Sequence, residues 1–187
     1  MTEIKETATF GGGCFWCTEA IFKRLNGVVS VTSGYSGGKR PLPSYDQVST
    51  GATGHAESVN ILFNPKVISF ERLLDVFWAT HNPTTKNRQG NDVGTQYRSV
   101  IFYHNAKQKE EAIASMKRLE QEKTYGDSVV TEIIPFTEFY SAEEYHQNYY
   151  DSNPEYPYCS IIINPKIKKL LEKFGKEVKE EYRQVDL

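Results

Sequence analysis

Hydrophobic and polar positions along this chain switch between two spacings, one of strands and one of helices. Residues 5–10 (KETATF) alternate weakly and run into Gly11-Gly12-Gly13, which reads as a short strand entering a turn. From Trp16 the spacing lengthens, and Ile21, Phe22 and Leu25 share a helical face that Asn26-Gly27 stops. Val28, Val29 and Val31 predict a second strand. In a third, Glu57, Val59, Ile61 and Phe63 lie on one face while Ser58 and Asn60 take the other. Ser69 caps a helix whose Phe70, Leu73, Leu74 and Phe77 recur at i, i+3, i+4 and i+7, a core stripe. A strand over 99–103, a helix over 106–122 and a strand over 129–134 follow, the last closed by Pro135. Ser141-Ala142-Glu143-Glu144 reads as a capping box opening a helix through Tyr145, His146, Tyr149 and Tyr150, whose rings read as core and rim. The final helix aligns Ile167, Leu170, Leu171, Phe174 and Val178, leaving Lys166, Lys168, Lys169, Lys173 and Lys176 as a solvated face.

Two stretches resist either period. Residues 33–54 are rich in Gly, Ser and Pro, and residues 81–97 are dense in Asn, Gln, Thr and Gly. Irregular segments of that length in a compact domain point to function, so the two loops read as walls of a site. With 187 residues, no internal repeat and no linker between separate cores, the chain is expected to form a single domain, 1–187, of mixed α and β. A two-layer α+β sandwich is the simplest architecture. The formal charge of −2, with no block of five like charges, argues against a nucleic-acid partner. No apolar run exceeds four residues and the N-terminus is charged, so neither a membrane span nor a secretory segment is expected, and the cytoplasm is the default location. Aromatic content is high: 12 Tyr, 10 Phe and 2 Trp must fill a core or line a binding surface.

The chemistry concentrates in three cysteines, Cys14, Cys17 and Cys159. An odd count without an export signal argues against a disulfide framework, and a zinc site would need about four ligands, which the scattered histidines do not supply. Cys14 falls at the start of a helix, where unpaired N–H groups and the helix dipole lower a thiolate's pKa. It reads either as a reactive thiol or as a small buried hydrophobe. Glu57 lies on an apolar strand face, which would raise its pKa and keep a general acid protonated near neutral pH. The other reading is a carboxylate at a strand end, paired with an arginine.

The segments Gly12-Gly13-Cys14-Phe15-Trp16-Cys17-Thr18-Glu19, Ser33-Gly34-Tyr35-Ser36-Gly37-Gly38, Gly54-His55-Ala56-Glu57 and Asn87 to Ser99 stand in the order and spacing of one family. Together with the late Tyr-His-Gln and Tyr-Cys segments, they resemble peptide methionine sulfoxide reductase A. The resemblance implies a two-layer α/β sandwich with a ferredoxin-like core wrapped by long coils. It also implies reduction of the S epimer of methionine sulfoxide, free or in proteins, as a repair reaction after oxidative damage. Cys14 then matches the nucleophile, Glu57 the proton donor, Tyr45 and Tyr97 the hydroxyls that hold the sulfoxide oxygen, and Asp92 a residue orienting the site. Phe15 and Trp16 match the rings that receive the substrate methyl. A sulfenic acid left on Cys14 would be resolved by a second thiol and the disulfide reduced by thioredoxin, or by dithiothreitol in vitro, with no bound cofactor and no metal. Family position favours Cys159 on a mobile arm as the resolver, whereas Cys17, where the family often has Gly, is closer in sequence. A monomer is expected. Two rival readings are a thioredoxin-like dithiol oxidoreductase, built on the C-x-x-C, and an aromatic-lined peptide-binding module. The first gives Glu57 and Asp92 no role, and the second leaves the cysteines incidental.

Overall fold

The structure, a computed structural model, describes residues 4–184. Its centre is a curled, mixed six-stranded sheet of order β7-β6-β1-β3-β2-β8. The strands are β1 (Glu6–Gly12), β2 (Val28–Ser36), β3 (Ala56–Phe63), β6 (Ser99–Tyr103), β7 (Glu132–Pro135) and β8 (Phe139–Ser141). A separate two-stranded ribbon joins β4 (Arg88–Gln89) to β5 (Asp92–Val93). All neighbours in the large sheet run antiparallel except β6 and β7, which pair in parallel across the crossover helix α4 (Ala106–Gln121).

Helices α1 (Phe15–Phe22) and α3 (Phe70–Thr80) follow β1 and β3 and pack against the sheet. As its stripe predicts, α3 buries Phe70, Leu73, Leu74 and Phe77, and the Ser69 hydroxyl accepts the Arg72 N–H at 3.1 Å to cap it. Phe10, from β1, is the hub of the core, with ring centroids 5.0 Å from Phe77, 5.5 Å from Phe22 and 5.8 Å from Phe70. On the flank, the buried Arg24 guanidinium pairs with Asp151, donates to the Ala20 carbonyl and lies over the rings of Tyr150 and Tyr182.

Several elements depart from the periodic reading. Strand β2 continues to Ser36, and a short helix α2 (Tyr45–Ser49) stands inside the first polar stretch, opened by a capping box between Ser44 and Gln47. The capping box expected at Ser141 does not form. Ser141 is the last residue of β8, opposite Gly34, and the Ala142 N–H donates to the Ser33 carbonyl, so the backbone there is committed to the sheet edge. Only a 3-10 turn (Glu144–His146) and a four-residue helix α5 (Tyr149–Ser152) follow. Strand β7 begins at Glu132 rather than at Val129. Cys159, expected on a mobile arm, instead opens a π-helical turn (Cys159–Ile163) that leads into α6 (Asn164–Phe174), and it is 0% exposed.

Candidate active site

The Gly-Gly-Gly turn after β1 sets the position of Cys14. Gly13 has φ +92°, and a Cβ there would lie 2.6 Å from the Gln89 side chain, so glycine is required. Cys14 caps α1 from outside the helical turn, at φ −58° and ψ 127°, and its carbonyl accepts the Cys17 N–H at 3.1 Å. The next free N–H of the helix, that of Phe15, donates to Glu57 Oε2 at 3.0 Å. That bond ties β3 to the start of α1 and brings the carboxyl to the cysteine turn.

Electrostatics at this end of the helix runs against the simple helix-terminus reading of Cys14. Burial lifts the Cys14 thiol well above its ordinary value, and its hydrogen bond with Cys17 and the nearby Glu57 carboxyl add to the rise. Cys17 moves the other way, to about 6: the Cys14 hydrogen bond lowers it against the cost of its own burial, with help from the Lys166 charge. Of the two sulfurs, Cys17 is the one whose thiolate the surroundings favour. Lys166, expected on a solvated face, is half-buried against that thiol. Glu57 behaves as its apolar strand face suggests. It is 2% exposed, and burial pushes its carboxyl up to about 8 despite the Phe15 N–H.

Around these groups the structure brings the remaining expected residues together. Tyr45 opens α2, its N–H held by the Glu143 carboxylate at 3.2 Å and its ring stacked 6.4 Å from Phe15. Tyr97 ends a 3-10 turn (Thr95–Tyr97). Burial raises both phenols, Tyr45 to about 12, with the Glu57 charge the next largest influence on each. Asp92, on β5, accepts the Tyr158 hydroxyl at 2.7 Å. Phe15 is buried against Tyr35, Tyr45 and His146. The half-buried Trp16 stacks on Tyr149 at 3.7 Å and 6°, and meets Tyr158 edge-on at 5.8 Å.

Four contributors escaped the reading of residue types. His146 anchors the aromatic wall: the Trp16 indole N–H donates to its Nδ1 at 3.1 Å, so the ring's hydrogen sits on Nε2, 3.8 Å from Glu143. Glu143 also accepts the Tyr35 hydroxyl, and Tyr158 bridges Asp92 to the cysteine turn, its hydroxyl 3.9 Å from Cys17 Sγ. Lys166 is the fourth. Nothing in their spacing marks them, because each acts across the fold.

A family model for peptide methionine sulfoxide reductase matches residues 6–179, nearly the whole chain. The chain belongs to that family. A peptide methionine sulfoxide reductase MsrA of Sulfolobus acidocaldarius is 56% identical over 169 residues, covering 90% of this chain and 95% of the relative. Among solved structures, the reduced form of Mxr1 from Saccharomyces cerevisiae superposes with a TM-score of 0.78 at 39% identity, over 83% of this chain and 89% of that one. Mxr1 in complex with Trx2 matches with a TM-score of 0.56 at 29% identity, over 78% and 84%. The reaction class is thus that of a methionine sulfoxide reductase, an oxidoreductase. In this reductase the cysteine turn, the buried carboxyl and the aromatic wall are gathered around the start of α1.

Proposed function

We propose that this reductase acts on the S epimer of methionine sulfoxide, free or within oxidised proteins, through Cys14 and Glu57. The observation that carries the reading is the Glu57 carboxyl, buried, held by the N–H next to Cys14 and protonated near neutral pH. Sulfoxide oxygen leaves sulfur only when protonated, and a carboxyl of that kind is the acid the step needs. As substrate arrives, Cys14 passes its proton to Cys17 across their hydrogen bond, and the Cys14 thiolate attacks the sulfoxide sulfur. Glu57 protonates the oxygen, and Tyr45 and Tyr97 stabilise the charge developing on it. The oxygen ends on Cys14 as a sulfenic acid and methionine departs, so Cys14 is oxidised by two electrons as the substrate is reduced. Phe15 and Trp16 receive the methyl group, Asp92 fixes the opposite wall through Tyr158, and the three contacts together select one epimer. A second thiol, Cys159 or Cys17, converts the sulfenic acid to a disulfide for thioredoxin to reduce, a role supported by the Mxr1–Trx2 neighbour. We also read the run β1-α1-β2-β3-α3-β6 as the ferredoxin-like core, on its β-α-β-β-α-β order.

The test is incubation with racemic N-acetylmethionine sulfoxide and dithiothreitol, followed by chiral separation. Loss of the S epimer alone, stopping near half conversion, is the expected result. Consumption of the R epimer, or turnover surviving Cys14→Ser, would refute it.

A further inference from the structure

The aromatic wall runs on past the pocket in both directions. Ring follows ring from Tyr145 through His146, Trp16 and Tyr149 to Tyr156, with successive centroids 4.1, 5.7, 3.7 and 5.9 Å apart. Inside this ladder His146 is 1% exposed, whereas the end rings, Tyr145 and Tyr156, are 63% and 48% exposed. Both ends are held in place. The Tyr145 hydroxyl donates at 3.3 Å to Glu143, the carboxylate that also accepts the Tyr45 N–H. The Tyr156 N–H donates to the Asn153 carbonyl at 3.1 Å, and its own carbonyl accepts the Cys159 N–H at 2.9 Å. Large rings that are fixed yet open to water mark a binding surface, because their faces are already ordered and still unburied.

We infer that Tyr145 and Tyr156 dock the residues flanking methionine sulfoxide in an extended polypeptide, so that segments with an apolar side chain on each side are preferred over bare or acidic ones. The inference rests on the reductase reading above, in which Trp16 receives the sulfoxide methyl, and the two rings continue that same wall outward. Along the ladder each end ring lies at most about 10 Å from Trp16, and an extended chain advances about 3.3 Å per residue, so the positions served are the second or third on either side. A tyrosine face takes an aliphatic or aromatic side chain while its hydroxyl stays with water or Glu143. Glu144 and Glu155, exposed and next to the two rings in sequence, disfavour a like-charged flank. Contacts of this kind are made equally in the bound substrate and in the transition state, so they act on KM and leave kcat alone.

Peptides with a central methionine sulfoxide in a glycine background, carrying Leu, Gly or Glu at the second and third positions on one side, test the docking with dithiothreitol as reductant. For the wild type, Leu should lower KM roughly 5- to 10-fold against Gly on each side, the worth of half-burying one such side chain, with kcat unchanged and Glu worse than Gly. Tyr145→Ser should erase the preference on one side and Tyr156→Ser that on the other, while Tyr145→Phe and Tyr156→Phe keep it. Equal KM for Leu and Gly flanks in the wild type, or a preference that both serine variants retain, would overturn the inference. So would a concentration-dependent dimer in sedimentation that Tyr145→Ser or Tyr156→Ser abolishes, which would give these rings to a second copy of the chain. If neither the peptides nor N-acetylmethionine sulfoxide is consumed, the reductase reading fails. Docking is then still read from the fluorescence anisotropy of a labelled Leu-flanked peptide, whose Kd must rise at least several-fold in the serine variants for it to stand.

Discussion

Replacing Glu57 by Gln separates the cost of the buried carboxyl from its chemistry. In the fold this carboxyl titrates near 8, whereas an unfolded glutamate titrates near ~4.3. Because the native pKa is the higher one, the native state holds more protons than the unfolded state between those two values. Stability must therefore fall as pH rises through that window and level off above it. From pH 5 to pH 8 the spread is about three units, or about 4 kcal/mol at about 1.36 kcal/mol per unit, and full burial leaves little solvent screening to discount. Glutamine keeps the shape and the acceptor for the Phe15 N–H but has no proton to lose. Urea unfolding of both proteins under reducing conditions, from pH 5 to pH 9, should show the Gln variant gaining about 4 kcal/mol relative to wild type across the range. In single turnovers, wild-type methionine release should decline above about pH 8, and the Gln variant should be slower by roughly 10²- to 10⁴-fold. Parallel stability curves would mean that Glu57 is ionised in the fold. An unchanged release rate would remove it from the acid role.

Three further substitutions probe the surroundings. Phe10→Ala, at the centre of three packed rings, should lower unfolding free energy by about 3–5 kcal/mol in urea melts; a loss under about 1 kcal/mol would mean that this core repacks freely. His146→Leu leaves the Trp16 indole N–H without its acceptor and should raise KM for sulfoxide and alter Trp16 fluorescence. His146→Gln can accept that N–H and should do much less, so equal effects of the two would count against the anchoring role. Tyr158→Phe removes the 2.7 Å bond to Asp92, a charge-assisted bond of about 1.5–3 kcal/mol. Alkylation of Cys159 should then accelerate roughly 10-fold or more, as measured by mass, if that bond holds the turn closed; an unchanged rate would show that it does not.

Features built from neighbouring residues were legible in the chain before any coordinates. The stripe of α3 and its Ser69 cap formed as read, and so did the burial of Glu57 on β3, because local periodicity decides both. The two long polar stretches do carry Tyr45, Asp92 and Tyr97 to the site. What escaped depends on partners distant in sequence. Helix α2 is five residues long and is held by Glu143, almost a hundred positions away. Ser141 has the chemistry of a cap but is claimed by Gly34 across the sheet. Lys166 sits among lysines that face solvent, and only the packing of α6 near α1 shows that it differs. The expectation of a lowered Cys14 pKa counted the helix dipole and left out desolvation, which outweighs it when the thiol is only 8% exposed.

The π-helical turn that hides Cys159 bears on how the protein is recharged. None of the three sulfurs offers an outside dithiol more than a sliver of surface, and Cys159 offers none. Exchange through Cys159 must wait for its turn to unlatch, so the observed rate should climb with reductant concentration and then level off at the rate of unlatching. That ceiling belongs to the oxidised protein alone: it should be the same for dithiothreitol and for a thioredoxin, however strongly either one reduces. For a disulfide that includes Cys159, the fold thereby sets the tempo of recycling, and a more powerful electron donor cannot shorten it.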